Sequence, residues 1–198
     1  AEFKRSWERA VNIIRTEMPG MMFDFSPANP YVGFSAGRDY GGSAGVNLEG
    51  FLPPDSTYDF ISLSHHDARP FVTSEGTWLE HYNPDVKKRI IGLKELVDTA
   101  IRHGKKFALS EWGTQMVDCG DDHPAAPNPA LFIKKTYDFL SEHKANLAWD
   151  AHFSVECTQL YKRESSEAAI MYKSLWGGNG VEPENTTKPR PPELISAQ

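Results

Sequence analysis

Two things are nearly missing from this 198-residue chain: cysteine, present only as Cys119 and Cys157, and any long apolar run. Two cysteines are too few to define a disulfide framework, and they leave two readings open, a bridge in an oxidising compartment or two free thiols. No stretch approaches the roughly 20 apolar residues that span a bilayer, so a membrane partner is not expected. Basic clusters are equally scarce. Only Lys87-Lys88-Arg89 stands out, on an expected helix surface, and a net charge of −6 argues against a nucleic-acid footprint. No signal peptide or lipidation motif is visible. The chain opens inside an amphipathic pattern, however, so the natural N-terminus is expected upstream, and the compartment stays undecided with secretion open.

Aromatic residues are plentiful, at 12% of the chain. Trp78, Trp112, Trp149, Tyr31, Tyr40 and Tyr82 fall mostly in or near expected loops and strand ends, where rings can stack on sugar faces or simply fill a core.

Periodicity divides the chain into repeating units. Phe3, Trp7, Val11, Ile14 and Met18 recur at helical spacing until Pro19-Gly20, predicting a helix over residues 3–18. Residues 21–25 read as a short buried strand followed by a Gly/Ser-rich stretch, residues 33–50. A second strand is predicted over 59–64, then a polar, aromatic-bearing loop, then a helix striped by Val86, Ile90, Leu93, Val97 and Ile101 and stopped by Gly104. A third strand over 106–110 precedes a Pro-rich loop and a helix over 131–140. A fourth strand over 146–153 precedes a helix over 167–176. The polar tail, with Pro183, Pro189, Pro191 and Pro192, reads as disordered or a linker.

Strict alternation of strand and helix implies an α/β fold with parallel strands and right-handed crossovers. Four such units are half of an eight-fold barrel, which usually needs roughly 250 residues. The expected architecture is therefore a (β/α)4 half of a TIM-type barrel over residues 1–178, helices on one side, with the tail over 179–198. Its inner sheet face is expected to be apolar and covered by a second copy of the chain, making a homodimer, or by an N-terminal half.

The long loops follow strands, where α/β proteins keep their chemistry. Those ends carry Asp24, Ser26 and Asn29, then His65, His66 and Asp67, then Glu111 and Trp112, then Asp150, His152 and Glu156. A metal is not expected. Adjacent histidines on a strand point to opposite faces, and the spacing of His65, His66, Asp67, His123 and His152 fits no metalloenzyme signature.

Leu109-Ser110-Glu111-Trp112-Gly113 after an apolar strand resembles the seventh strand of clan A glycoside hydrolases, and the β-mannanase-like family 26 above all. Residues 7–17, 22–30 and 53–61 resemble that family's helix before strand five, strand-five segment and approach to strand six. The resemblance covers roughly residues 3–155 and implies a retaining hydrolase of a β-mannan-like polysaccharide, with no cofactor and Glu111 as nucleophile. It also implies that the acid/base lies on strand four, before the first residue here, so that a substitute such as Asp24, Asp67, Asp150 or Glu156 would have to serve. Where the family places a tyrosine that hydrogen-bonds the nucleophile, this chain has Ser64-His65-His66-Asp67, so His66, or His65, is expected to donate to Glu111 instead, and a protonated ring would keep the carboxylate ionised. His66 and Asp67 join Glu111 as catalytic candidates. Trp112, Trp149, Tyr31, Asn29, His65, Asp24 and Asp150 are the candidate sugar contacts. Three alternatives remain: a half-barrel that only binds carbohydrate or hydrolyses esters weakly, a purely structural fragment of a larger enzyme, and a Glu111 that merely caps a helix or pairs with arginine.

Overall fold

A computed structural model describes residues 2–27, 48–67, 70–84, 91–118 and 124–177. Its elements run α1 (Glu2–Glu17), β1 (Asp24–Phe25), α2 (Leu48–Phe51), β2 (Phe60–Asp67), α3 (Glu75–Tyr82), α4 (Leu93–Arg102), β3 (Lys106–Thr114), α5 (Pro129–Glu142), β4 (Leu147–His152) and α6 (Glu167–Trp176). The strands form one sheet in the order β1-β2-β3-β4, every pair parallel.

Each strand sends alternate residues to opposite faces. Phe25, Ile61, Leu63, Phe107 and Leu109 point to the helices and are buried, and with Leu93, Leu96, Val97, Phe132 and Ile133 they make the main core. The other face is concave, because side chains two strands apart meet across it. Ser26 Oγ lies 3.1 Å from Ser110 Oγ. The Phe60 and Trp149 rings pack edge to face with centroids 4.9 Å apart. Apart from that aromatic pair, the concave face carries Asp24, Ser62, Ser64, His66, Ala108, Ser110 and Glu111. It is small and polar, and the expected apolar lining is not there.

β1 pairs over two residues, shorter than the predicted strand, and Met21 and Met22 before it are exposed. Its hold on β2 comes from Asp59, whose Oδ2 accepts the Phe23 N–H at 2.8 Å and meets Arg15 of α1 at 3.2 Å. Trp7 fixes α1 from the other side, donating Nε1 to Thr57 Oγ1 at 3.0 Å and packing edge-on against Phe25. At the lower end of the sheet, His103 sits 2.8 Å from both Glu49 and Asp55. Burial works against charge on this ring, but the two carboxylates outweigh it and its pKa is raised. Gly104, at φ 63, then turns the chain into β3 in a conformation that a side chain would strain.

Helix α3 falls within what reads in the sequence as a loop. It has only eight residues and buries just Trp78, too little for a periodic stripe, yet Ser74 and Thr77 close a capping box at its start. The expected start of α4 and the tail fall on residues 85–90 and 178–198, outside those described.

Candidate active site

The site is built by an irregularity. Leu63 pairs with Leu109, but Ser64 pairs with Glu111, so Ser110 is an extra residue on β3. In an unbroken strand, with Leu109 toward the helices, Glu111 would also face the helices and Trp112 the concave side. The bulge reverses both. Glu111 emerges on the concave face near the C-terminal end of β3, its side chain 49% exposed.

Trp112 goes the other way. It is fully buried, stacked on Trp176 at 4.9 Å, near Phe132 and Tyr172, with its indole N–H donated to Asp150 Oδ1 at 2.8 Å. Neither Trp112 nor Asp150 has a face to offer a sugar. They anchor α5 and α6 to the sheet, which corrects the expectation drawn from their place at a strand end.

β2 continues through Asp67 instead of ending at residue 64, so alternation governs the His-His-Asp run. His65 is buried toward the helices, stacked on Phe132 at 5.1 Å and edge-on to Trp78 and His81. Burial, then the neighbouring imidazoles, push its pKa well down. Asp67 also faces inward to the protein. Its Oδ1 accepts the Val72 N–H at 2.8 Å and its Oδ2 accepts the Thr114 hydroxyl at 2.9 Å. Burial raises its pKa to about 6 despite both bonds. Asp67 ties the chain after β2 to β3 and takes no place beside Glu111, and His65 is a core residue, not a sugar contact.

His66 alone of the three lies on the concave side. Its Nε2 is 3.7 Å from Glu111 Oε2, ion-pair range but longer than a hydrogen bond, and has no hydrogen-bond partner. Burial lowers its pKa, more than the Glu111 carboxylate raises it. At neutral pH the imidazole is therefore neutral, which corrects the expected protonated ring. Gly113 pairs with His66, and a Cβ there would lie 3.8 Å from His66 Nδ1 and 3.1 Å from the Phe153 carbonyl. The glycine keeps β3 clear of the Phe153 carbonyl, and the Phe153 and His66 rings meet edge to face at 5.5 Å. Gly113, Phe153 and the Ser110 bulge are the parts of the site that sequence reading passed over; the interrupted alternation in Leu109-Ser110-Glu111-Trp112 was the available sign.

Asp24 and Trp149 share the concave face but lie low on it. Asp24 pairs with Phe60, four residues below Ser64 and so about 13 Å below Glu111 along the sheet. It accepts the Ser62 hydroxyl at 2.5 Å, and burial raises its pKa. Trp149 pairs with Ala108, level with Ser62 and so about 7 Å below Glu111, packed against Phe60 as part of the lower layer. Neither stands at the rim where a sugar ring would meet Glu111. Asn29, Tyr31 and His123 fall outside the described residues, as does the side chain of Glu156. Cys157 is disulfide-bonded, and Cys119, the chain's other cysteine, also falls outside them. Among the described residues no group of three or more His, Cys, Asp or Glu could hold a metal.

A parallel sheet with helices on one side of it and a polar concave face on the other has the layout of a β/α barrel's interior. Among solved structures, a Cellulomonas fimi endo-β-1,4-mannanase double mutant matches with a TM-score of 0.52 and 14% identity over 86% of this chain and 36% of that one. An engineered protein matches with a TM-score of 0.51 and 15% identity, over 86% of this chain and 35% of that one. The fold is half of a TIM-type barrel. The chain spans about a third of the length of each of these two structures. No family model matches the sequence. No curated protein matches it.

Proposed function

We propose that this half-barrel carries the nucleophile of a retaining glycoside hydrolase of the family 26 type, acting on a β-mannan-like polysaccharide, with Glu111 as the attacking carboxylate. The observation that carries the reading is the bulge at Ser110, which turns Glu111 out of the helix layer and onto the concave face near the strand ends. A half-exposed carboxylate beside a neutral imidazole pairs with no Lys or Arg among the described residues, which argues against a purely structural ion pair. The likeness of fold to the mannanase supports the substrate class.

A retaining mechanism needs a second carboxyl group about 5–5.5 Å from the nucleophile. Asp67 and Asp150 face the helices and Asp24 lies too low, so none of these three can supply it. The acid/base comes from whatever closes the barrel. In our reading a second copy of the chain closes it, and of the chain's own candidates only Glu156 is then left to supply the acid/base. Both outer edges, β1 and β4, are free among the described residues, and exposed Ile13, Met18 and Met22 flank the first as Val155 and Ile170 flank the second.

The test separates nucleophile from acid. A dinitrophenyl β-mannoside has a leaving group that needs no protonation, so Glu111 can act on it without an acid/base. A burst of one dinitrophenol per Glu111, then slow turnover because no base is placed to activate the water, is expected with the parent chain; Glu111→Ala should abolish the release, and azide should restore it by forming the α-mannosyl azide. Turnover unchanged by Glu111→Ala would overturn the assignment. A weaker reading, carbohydrate binding without turnover, is favoured by the unsuitable position of Asp24, Asp67 and Asp150, and predicts saturable binding of mannan oligosaccharides with no release of dinitrophenol.

A further inference from the structure

We propose that His103 is a pH-operated clip at the lower end of the sheet: as an imidazolium it ties the end of α4 both to α2 and to the turn before β2, and on losing a proton it releases one arm. The clip lies at the opposite end of the sheet from Glu111, so it does not rest on the function proposed above.

The hydrogen bonds carry it. His103 Nδ1 lies 2.8 Å from Asp55 Oδ1, and Nε2 lies 2.8 Å from Glu49 Oε1. A carboxylate can only accept, so both ring nitrogens must donate, whereas a neutral imidazole has a single N–H. Only the charged ring fits this geometry. Both acids are ionised: the bond from His103, with Arg102 beside it, holds Glu49 below the ordinary carboxylate value, and the Tyr58 hydroxyl and then His103 do the same for Asp55.

The ring joins three segments. Glu49 belongs to α2, Asp55 opens the short 3-10 turn Asp55–Thr57, and His103 closes α4. Other ties hold these segments singly. The Leu48 N–H goes to Glu95 of α4 at 2.5 Å and Arg102 pairs with Glu49, while Tyr58 donates to Asp55 at 2.8 Å and Lys105 Nζ to the Asp55 and Tyr58 carbonyls at 2.8 and 2.7 Å. Of these side chains only His103 reaches both α2 and the turn.

The charged and titratable groups around the ring are thus Glu49 of α2, Asp55 and Tyr58 at the turn, and Arg102 and Lys105 of its own segment. Burial lowers the proton affinity of the ring, the two carboxylates more than restore it, and the value ends above the ordinary 6.5. The clip is therefore closed below that ordinary value and opens as pH rises through the raised one.

Histidine ring and backbone amide resonances of the full chain, followed from pH 5 to pH 9, test it. His103 should titrate above 6.5, and the amide signals of residues 48–51 and 55–57 should move with the same midpoint. Glu49→Gln and Asp55→Asn should each lower the proton affinity of His103 about threefold, the size expected for one exposed ion pair. In urea, the unfolding constant should rise about threefold more in the parent than in His103→Gln between pH 6.5 and pH 9. Should His103→Gln not fold, Glu49→Gln serves for the same comparison and should show a smaller rise than the parent. A His103 midpoint at or below 6.5, amide signals of residues 48–51 that do not follow that midpoint, or an equal pH dependence in parent and variant overturns the clip.

Discussion

Ser64 pairs with Glu111 and not with Ser110, and that single offset separates the two most conspicuous residues of the third strand. One residue goes to the groove and the next to the core. Glu111 is half exposed, whereas Trp112 is sealed between the sheet and helices α5 and α6.

Trp112→Ala should therefore act on stability. The substitution removes a fully buried indole, its stack on Trp176 and the hydrogen bond that satisfies Asp150. A loss of about 3–5 kcal/mol is expected from urea denaturation. A small loss in stability with a large loss in saccharide affinity would return Trp112 to the role of sugar platform.

Asp67 makes stability depend on pH. Its folded pKa of about 6 lies above the ordinary 3.8, so between those values the folded chain holds a proton that the unfolded chain has lost. Stability is greatest below the lower value and declines as pH rises through the window, by up to about 3 kcal/mol from this group. Asp67→Asn keeps an acceptor for Val72 N–H and a partner for the Thr114 hydroxyl while removing the charge. Urea midpoints measured from pH 4 to pH 7 should fall less steeply in the variant, and an unchanged slope would show that Asp67 does not titrate in this way.

Gly113→Ala should crowd the site from within. The new Cβ meets the Phe153 carbonyl at 3.1 Å, so the chain leaving β4 must shift, and His66 with it. A stability loss of about 1–3 kcal/mol is expected, with a change in the His66 ring resonances. A variant with parent-like thermal midpoint and parent-like His66 signals would mean that the packing here is looser than the geometry indicates.

The closure of the sheet predicts a mass. Two four-stranded halves make the eight strands of a barrel, so sedimentation equilibrium should give twice the 22.2 kDa of the chain, and Ile170→Lys at an exposed edge position should reduce it toward the single-chain value. A well-behaved monomer would leave the concave face to be covered by another part of a longer protein.

Much of the architecture was legible because its cause is local. The helix over Glu167–Trp176 matches its expected limits because Ser166 caps one end, with its hydroxyl accepting the Ala169 N–H, and Gly177 stops the other. Parallel strands followed from the alternation, while the half-barrel needed the chain length and the family resemblance besides. The site was less legible because facing depends on register, and register is fixed between strands. The interrupted alternation in Leu109-Ser110-Glu111-Trp112 hints at a bulge but does not say which residue β2 skips, so the sequence alone leaves Trp112 reading as an exposed ring. The His-His-Asp run was misplaced for a related reason: pairing with β3 carries β2 three residues past its apolar core, which put His65 and Asp67 under the helices. The polar character of the concave face was likewise hidden, since its serines are spread over the ends and middles of three separate segments.

The most direct test of the account is the intact mass of the chain after incubation with an activated 2-deoxy-2-fluoro β-mannoside, followed by peptide mapping. The account predicts a single added fluoromannosyl group, carried as an ester on Glu111 and absent from Glu111→Ala. A label on any other residue, or an equal label on the variant, would contradict it.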